Sequence, residues 1–380
     1  MKNKLQTYLN DLIDKNGSDL HLKAGSKPYV RINGELFAID DSKIRHDEME
    51  ELAKYILTET QYRQLNDEKE IDCSFSFSDI KRFRVNMFHQ IDGLGIAMRA
   101  ISDKILSIRE LNLPNSVKDL ADYQSGLVIV SGVTGSGKST TMAALLDRIN
   151  RTQKKYIVSI EDPIEFIHKD NMSLITQRAV GTDTNSYANA LRAALREDID
   201  VIFIGEMRDI ETVEIALHAA NTGHLVFSTL HTLNTKESIN RIISMFPKEE
   251  QDRVRMSLSF VLKGVIAQKL VKDKNGGRVP VVEIMKTTPR ISELIREKRD
   301  NEILEAIIDG TKIYGTQSFD QSLLSLYNKG IITEEDALKH ATNPSDMNLV
   351  MKGINNGSRK NILDEKKKNM EQKAFDLKRS

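Results

Sequence analysis

The sequence predicts an α/β protein in which a mixed α+β module precedes a nucleotide-binding domain built on a parallel sheet. Four short, wholly apolar runs, LVIV at 127–130, IVSI at 157–160, VIFI at 201–204 and LVFS at 225–228, alternate with helical segments. Strands apolar on both faces and separated by helices belong to a parallel sheet covered on both sides. The first hundred residues instead alternate apolar with polar positions, as antiparallel strands with one solvated face do. A length of 380 residues fits two domains at about 150 residues each.

In chain order, an amphipathic helix with Leu5, Leu9, Leu12 and Ile13 on one face leads into SDLHLKAG. YVRINGELFAI then alternates around Asn33-Gly34, a pair that tolerates the positive φ angles of a tight hairpin. A helix follows near Glu48 to Leu57, and CSFSFS, RFRVNMFHQ and GLGIAMRAI read as further strands. The pattern breaks at LNLPNSVKDLADYQ, with a proline, a turn and a short helix. The expected divisions are an N-terminal domain over 1–110, a linker over 111–122 and the nucleotide-binding domain over 123–342. Within the last, Phe246 to Ala341 reads as mainly helical, interrupted by a hairpin at KDKNGGRVPVVEIM. Residues 343–380 are polar and lysine-rich without a sustained apolar stripe, as in a solvated, partly disordered tail.

Composition narrows the function classes. Hydrophobic residues make up 39% and charged residues 29%, an ordinary globular balance that excludes fibrous or wholly disordered chains. Lys+Arg and Asp+Glu both number 55, so no global basic field exists, and no dense basic cluster interrupts the folded part. A nucleic-acid partner is therefore not expected. One cysteine, Cys73, excludes a disulfide framework or a multi-cysteine zinc site. Neither a signal peptide nor an apolar run of membrane-spanning length is visible, so a cytoplasmic protein that does not cross the membrane is expected.

The chemistry begins at Gly132-Val-Thr-Gly-Ser-Gly-Lys138-Ser139, which matches GxxxxGK[ST] between a buried strand and a helix. Gly132, Gly135 and Gly137 allow a tight loop whose N–H groups wrap phosphates, helped by the positive end of the next helix. Thr134, Ser136 and Thr140 complete the phosphate-binding loop and the start of its helix. Lys138 reaches the β- and γ-phosphates and the Ser139 hydroxyl ligates Mg²⁺. Glu206 follows the VIFI strand at its C-terminal edge, where ligands of open α/β sheets bind. It is placed either to hold the magnesium shell or to orient water. SIEDPIEF offers Glu161, Asp162 and Glu165, one of them a candidate general base, with Pro163 stiffening the chain. His224 and His231 flank one apolar strand at an interval too long for a compact metal pair. Hydrogen bonding to phosphate or to a neighbouring subunit suits them better.

GVTGSGKSTT, SIEDPIEF, LRAALREDIDVIFIGEMRD and TGHLVFSTLHT, in this order, closely resemble four blocks of the secretion-type hexameric ATPases. These are the traffic ATPases of type II secretion and type IV pili, and the blocks are their Walker A, aspartate, Walker B and histidine boxes. The resemblance spans about residues 1–345 and is nearest to the pilus retraction branch. SDLHLKAG, FRVNMFHQIDGLGIAMRAI, RIISMFP and GTQSFDQSL carry that likeness. It implies a PAS-like N-terminal domain, a RecA-like P-loop ATPase domain with C-terminal helices, and a homohexamer using ATP and Mg²⁺. It further implies an inner-membrane platform protein as partner, with attachment to the inner face of the membrane only through partners. Glu165 corresponds to the family's catalytic glutamate, Glu206 to the magnesium-shell carboxylate, and His224 and His231 to γ-phosphate sensors. Arg84 and Arg99 correspond to nucleotide-facing arginines of the first domain. Assembly-type members usually carry a longer N-terminal extension and a four-cysteine zinc element, neither of which this chain displays, so pilus retraction is the function expected. The retraction block resembling AIRNLIRE reads here Arg290-Ile-Ser-Glu-Leu-Ile-Arg-Glu297, conserving only LIRE. An accessory retraction motor therefore stays open as an alternative, as does an assembly or secretion ATPase of the same family.

Overall fold

Residues 1–32, 34–77, 81–101 and 104–353 are described by the structure, a computed structural model. The N-terminal domain opens with α1 (Lys2–Asp14), then β1 (Asp19–Lys23), β2 (Tyr29–Ile32) and β3 (Glu35–Ala38). It continues with α2 (His46–Ile56), α3 (Glu59–Glu68), β4 (Glu70–Phe77), β5 (Lys81–Gln90) and β6 (Gly93–Ala100). The strands form one antiparallel sheet in the order β3-β2-β1-β6-β5-β4.

Because side chains alternate along a strand, this sheet has two unlike faces. Val30, Leu20, Met98, Val85 and Cys73 lie in one cross-strand row and are buried beneath α1 and α2, packing with Leu5, Leu9, Leu12 and Leu52. The adjacent row, on the opposite face, reads Arg31, Asp19, Arg99, Arg84 and Ser74. The hairpin at Asn33-Gly34 has the expected register, Ile32 opposite Glu35, with Gly34 at φ +92°; Asn33 itself lies outside the described residues. A second tight hairpin joins β5 to β6, with Gln90 opposite Gly93 and two residues between.

The second domain starts with a 3₁₀ segment (Asn115–Ala121), followed by β7 (Gly126–Ser131), α4 (Lys138–Thr152), β8 (Tyr156–Glu161) and β9 (Leu174–Ala179). Then come α5 (Tyr187–Ala194), β10 (Val201–Ile204), α6 (Ile210–Asn221), β11 (Leu225–Leu230), α7 (Thr235–Ser244) and α8 (Gln251–Val261). β12 (Leu262–Lys272) and β13 (Arg278–Lys286) form a long hairpin. The described residues close with α9 (Pro289–Arg296), α10 (Ile303–Asp309), α11 (Thr311–Tyr314), α12 (Phe319–Asn328), α13 (Glu334–His340) and α14 (Pro344–Met351).

The sheet order is β13-β12-β7-β11-β10-β8-β9, parallel throughout except for the β12–β13 pair. The four apolar runs are its central strands, fully buried on both faces, as their composition requires. Helix starts follow local chemistry. Asp209, Asn234, Ser318 and Thr333 each accept a backbone N–H of the first turn, and Pro289 and Pro344 follow caps at Thr288 and Asn343.

Three expectations change. Leu262–Lys272, read as part of a helical region, is a strand, because Val265 and Ile266 fit between β7 and β13 in a completed sheet. The segment expected as a linker packs Leu113, Val117, Leu120 and Ala121 into one core with Val128, Leu145 and Ile284. Residues 344–351, expected to begin the solvated tail, form α14 with Met347 buried among Phe319, Leu323 and Val281; residues 354–380 lie outside the described residues.

Gly264 lies where the 3₁₀ segment packs closely on β12, since a Cβ there would lie 2.7 Å from Leu120 Cδ2 and 2.8 Å from the Met285 carbonyl oxygen. Gly264→Ala should therefore destabilise the protein by about 1–3 kcal/mol. A melting temperature equal to that of the unaltered chain would show that this contact does not constrain the fold.

Candidate active site

β7, β11, β10 and β8 run in the same direction, so their carboxyl ends converge on one edge of the sheet. Beyond β7 the loop 132–137 turns sharply into α4, with Gly132, Gly135 and Gly137 at φ of +151°, +78° and +86°. A Cβ on Gly132 would sit 2.3 Å from the Gln268 carbonyl oxygen, so backbone must be bare there. Below this edge opens a cleft of about 490 Å³, lined by Thr134, Gly135, Gly137, Lys138, Ser139 and Thr140 of the loop and helix. Glu161, Asp162 and Glu165 line it from the β8 side, and Glu206, Arg208 and His231 from β10 and β11. Its size falls in the range of small-ligand pockets.

The charged groups are already organised. Lys138 Nζ donates to the carbonyl oxygens of Gly132 (2.8 Å) and Val133 (3.2 Å). Burial lowers its pKa, while the carboxylates of Glu206 and Glu165 oppose that shift. Glu206 Oε2 accepts from Arg208 Nε at 2.7 Å and stands 3.5 Å from His231 Nε2. Glu161, at the end of β8, is enclosed, and burial pushes its pKa up to about 7 although Ser159 Oγ and Gln177 Nε2 both donate to it. The nearby Glu165 backbone amide works against that rise and the Glu165 carboxylate adds to it.

Not every sequence-predicted residue reaches the cleft. Gly132 and Ser136, though part of the loop, do not line the cleft, and Ser136 is buried with its Oγ unpaired. His224 stands apart from the cleft: it precedes β11 whereas His231 follows it, so the strand holds them roughly 20 Å apart. His224 Nδ1 donates instead to the Ala219 carbonyl oxygen at 3.1 Å, and only His231 borders the carboxylates. The arginines also lie outside the cleft of their own chain. Arg99 Nε donates to Asp19 Oδ1 at 2.7 Å, Arg84 Nη2 lies 3.7 Å from Asp72 Oδ2, and neither borders the cleft. Arg84 lines a separate crevice with Asp162 and Pro163.

Arg208, Tyr187 and Arg278 line the cleft without having been anticipated. Arg208 follows Glu206 by two residues, a proximity that marks it in retrospect. His168, also in the lining, is held neutral because burial drops its pKa to about 4.

With this geometry in place, similarity to known proteins becomes specific. Residues 1–338 match the family described as Type II/IV secretion system protein. The chain belongs to this family. The type IV pilus retraction ATPase PilT of Pseudomonas aeruginosa is 44% identical over 329 residues, 87% of this chain and 95% of that protein. The type IV pilus ATPase PilU of the same organism is 39% identical, covering 92% of this chain and 91% of its own. The crystal structure of the pilus retraction motor PilT with bound ADP superposes with a TM-score of 0.82 at 42% identity. That match covers 90% of this chain and 98% of the other. The α/β architecture expected from sequence is thereby established. No helix among the described residues is long and apolar enough to cross a membrane.

Glu161 supplies a test of the site's electrostatics. Its folded pKa of about 7 exceeds the 4.5 of an ordinary glutamate, so the native state retains a proton that the unfolded chain releases. Stability should fall as pH rises from about 4.5 to about 7 and then level off. In Glu161→Gln this component should vanish, leaving the variant more stable than the parent by up to about 3 kcal/mol above pH 7. Parallel stability–pH curves for the two proteins would refute a perturbed Glu161.

Proposed function

We propose that this chain hydrolyses ATP as one subunit of a six-membered ring that powers type IV pilus retraction and twitching motility. The observation that carries the reading is the cleft that gathers Lys138, Glu165, Glu206 and His231 at one sheet edge. Its support from outside the chain is the near full-length likeness to PilT.

In this reading the backbone N–H groups of Gly135 to Lys138 and the positive end of α4 hold the nucleotide's phosphates. Lys138 exchanges the carbonyl oxygens of Gly132 and Val133 for the β- and γ-phosphates. The Ser139 hydroxyl and Glu206 carboxylate are hard oxygen donors on the same cleft. Such a pair suits Mg²⁺, which takes one or two protein oxygens and leaves the rest to phosphate and water. When bound, the magnesium ion neutralises charge developing on the transferred phosphoryl group. Glu165, on the cleft wall, takes the proton of the attacking water. His231, beside Glu206, senses the γ-phosphate.

Arg84 and Arg99 lie outside the cleft of their own chain, so in the ring they act on a nucleotide only when a first domain closes over it. Such closure in the ATP state and relaxation with ADP converts hydrolysis into domain rotation. The ring works at the cytoplasmic face of the inner membrane on a platform protein of the pilus base. A second reading, an accessory retraction motor, is favoured by the altered first half of the Arg290–Glu297 block and by the full-length likeness to PilU.

A host carrying only the Lys138→Ala chain should display many pili and no twitching, and purified Lys138→Ala should lose ATP turnover. A bald surface would instead assign assembly or secretion, and unchanged, mobile pili would rule out the retraction role. Glu165→Gln should keep ATP affinity within about threefold while losing at least about 100-fold in kcat. Loss of binding in that variant would make Glu165 structural. His231→Ala should lower kcat by about tenfold while His224→Ala changes it less than twofold. Equal losses would contradict the separation of the two histidines along β11.

A further inference from the structure

The phosphate loop is fastened from behind by a residue that no sequence motif announces. Gln268 lies in β12, only 3% exposed. Its Nε2 donates to the Ser136 carbonyl oxygen at 2.7 Å, and its Oε1 accepts from Thr141 Oγ1 at 2.7 Å. The amide has one orientation that satisfies both partners, because a carbonyl oxygen only accepts. Two loop glycines are shaped against the same residue: a Cβ on Gly132 would meet its carbonyl oxygen at 2.3 Å, and one on Gly137 its Nε2 at 2.8 Å. The loop and the first turn of α4 are thus gripped at four points by one side chain and its backbone.

The grip extends beyond the loop. Gln268 pairs across the hairpin with Val282 of β13. The Val282 N–H donates to Ser322 Oγ of α12 at 3.1 Å, and its carbonyl oxygen accepts from Gln317 Nε2 at 3.2 Å. Flanking β12 and β13 residues Ala267, Val271 and Val281 pack against Phe319 and Leu323 of the same helix. Two residues, Gln268 and Val282, therefore separate the Ser136 carbonyl from α12: they stand opposite each other across the β12–β13 ladder, with a hydrogen bond to the loop at one end and to the helix at the other.

We infer that Gln268 is a positioning residue that holds the phosphate loop in its anion-binding shape and couples nucleotide occupancy to the C-terminal helices through Val282 and α12. Turning the Ser136 carbonyl toward β12 keeps that oxygen off the phosphates and leaves the loop's N–H groups facing them. A phosphate that shifts the loop must then move or tighten β12, and with it α12. The inference rests on the cleft binding an adenine nucleotide, as proposed above.

Three variants test it with ADP and Mg²⁺ as the probe. Gln268→Leu removes both side-chain bonds, Gln268→Glu keeps the acceptor for Thr141 but loses the donor to Ser136, and Thr141→Val removes only the hydroxyl. Gln268→Leu and Gln268→Glu should raise the ADP dissociation constant and the KM for ATP about tenfold, and Thr141→Val about threefold, with kcat within threefold. Hydrogen exchange supplies the readout that mere destabilisation would not move. In the unaltered chain, saturating ADP should slow amide exchange in residues 132–141, 267–272 and 319–326 together. In Gln268→Leu it should slow the first segment and leave 319–326 unchanged. Persistent protection of 319–326 in that variant, or a KM within twofold of the parent, would overturn the inference. Should Gln268→Leu not fold, the graded KM of the other two variants decides, and equal values would overturn it. An unaltered chain that fails to bind ADP would instead overturn the nucleotide reading itself and this inference with it.

Discussion

Four strands running in the same direction bring their carboxyl ends to one edge of the central sheet, and each candidate group of the cleft hangs from that edge. The phosphate loop follows β7, the carboxylate segment β8, Glu206 β10 and His231 β11. Parallel pairing is what makes this convergence possible, since an antiparallel neighbour would deliver its following loop to the opposite edge. Parallel pairing also requires helical crossovers that cover both faces, which explains why these strands are apolar throughout. The site's chemistry and the core's composition thus follow from one topological choice.

Within that frame, charge is managed by enclosure and pairing. Lys138 is held by its own loop's carbonyl oxygens, and Glu206 by Arg208. Glu161 is buried far enough to favour its protonated form, whereas Glu165 stands at the cleft wall. Two acids four residues apart therefore face different environments, which is how a short segment can supply both a structural anchor and a candidate base.

Much of this was legible in the residues. The four apolar runs, the Asn-Gly hairpin and the glycine-rich loop each carry a local signal that the tertiary structure does not contradict. Illegible were features that depend on neighbours distant in sequence. β12 reads as helical until β7 and β13 stand on either side of it. Gln268 lies 132 residues from the carbonyl oxygen it holds, so no spacing could reveal it. The same applies to Arg84 and Arg99: their pairing partners Asp72 and Asp19 come from strands whose order is set by the whole domain. His224 lies apart from His231 for a simpler reason, because a strand carries its two ends to opposite edges of the sheet however alike they look.

The tight turn between β5 and β6 has a bearing on how this chain can vary. Arg84 and Arg99 lie directly opposite each other only because Gln90 and Gly93 close the hairpin with two residues. Adding or removing one residue on either strand would rotate every side chain beyond it to the other face. Val85 or Met98, whichever strand is altered, would then meet water and the neighbouring arginine would enter the core. Inheritance along this hairpin is therefore confined to exchanges of one residue for another, and the fifteen-step interval between the two arginines behaves as a fixed length, like the pitch of a gear tooth.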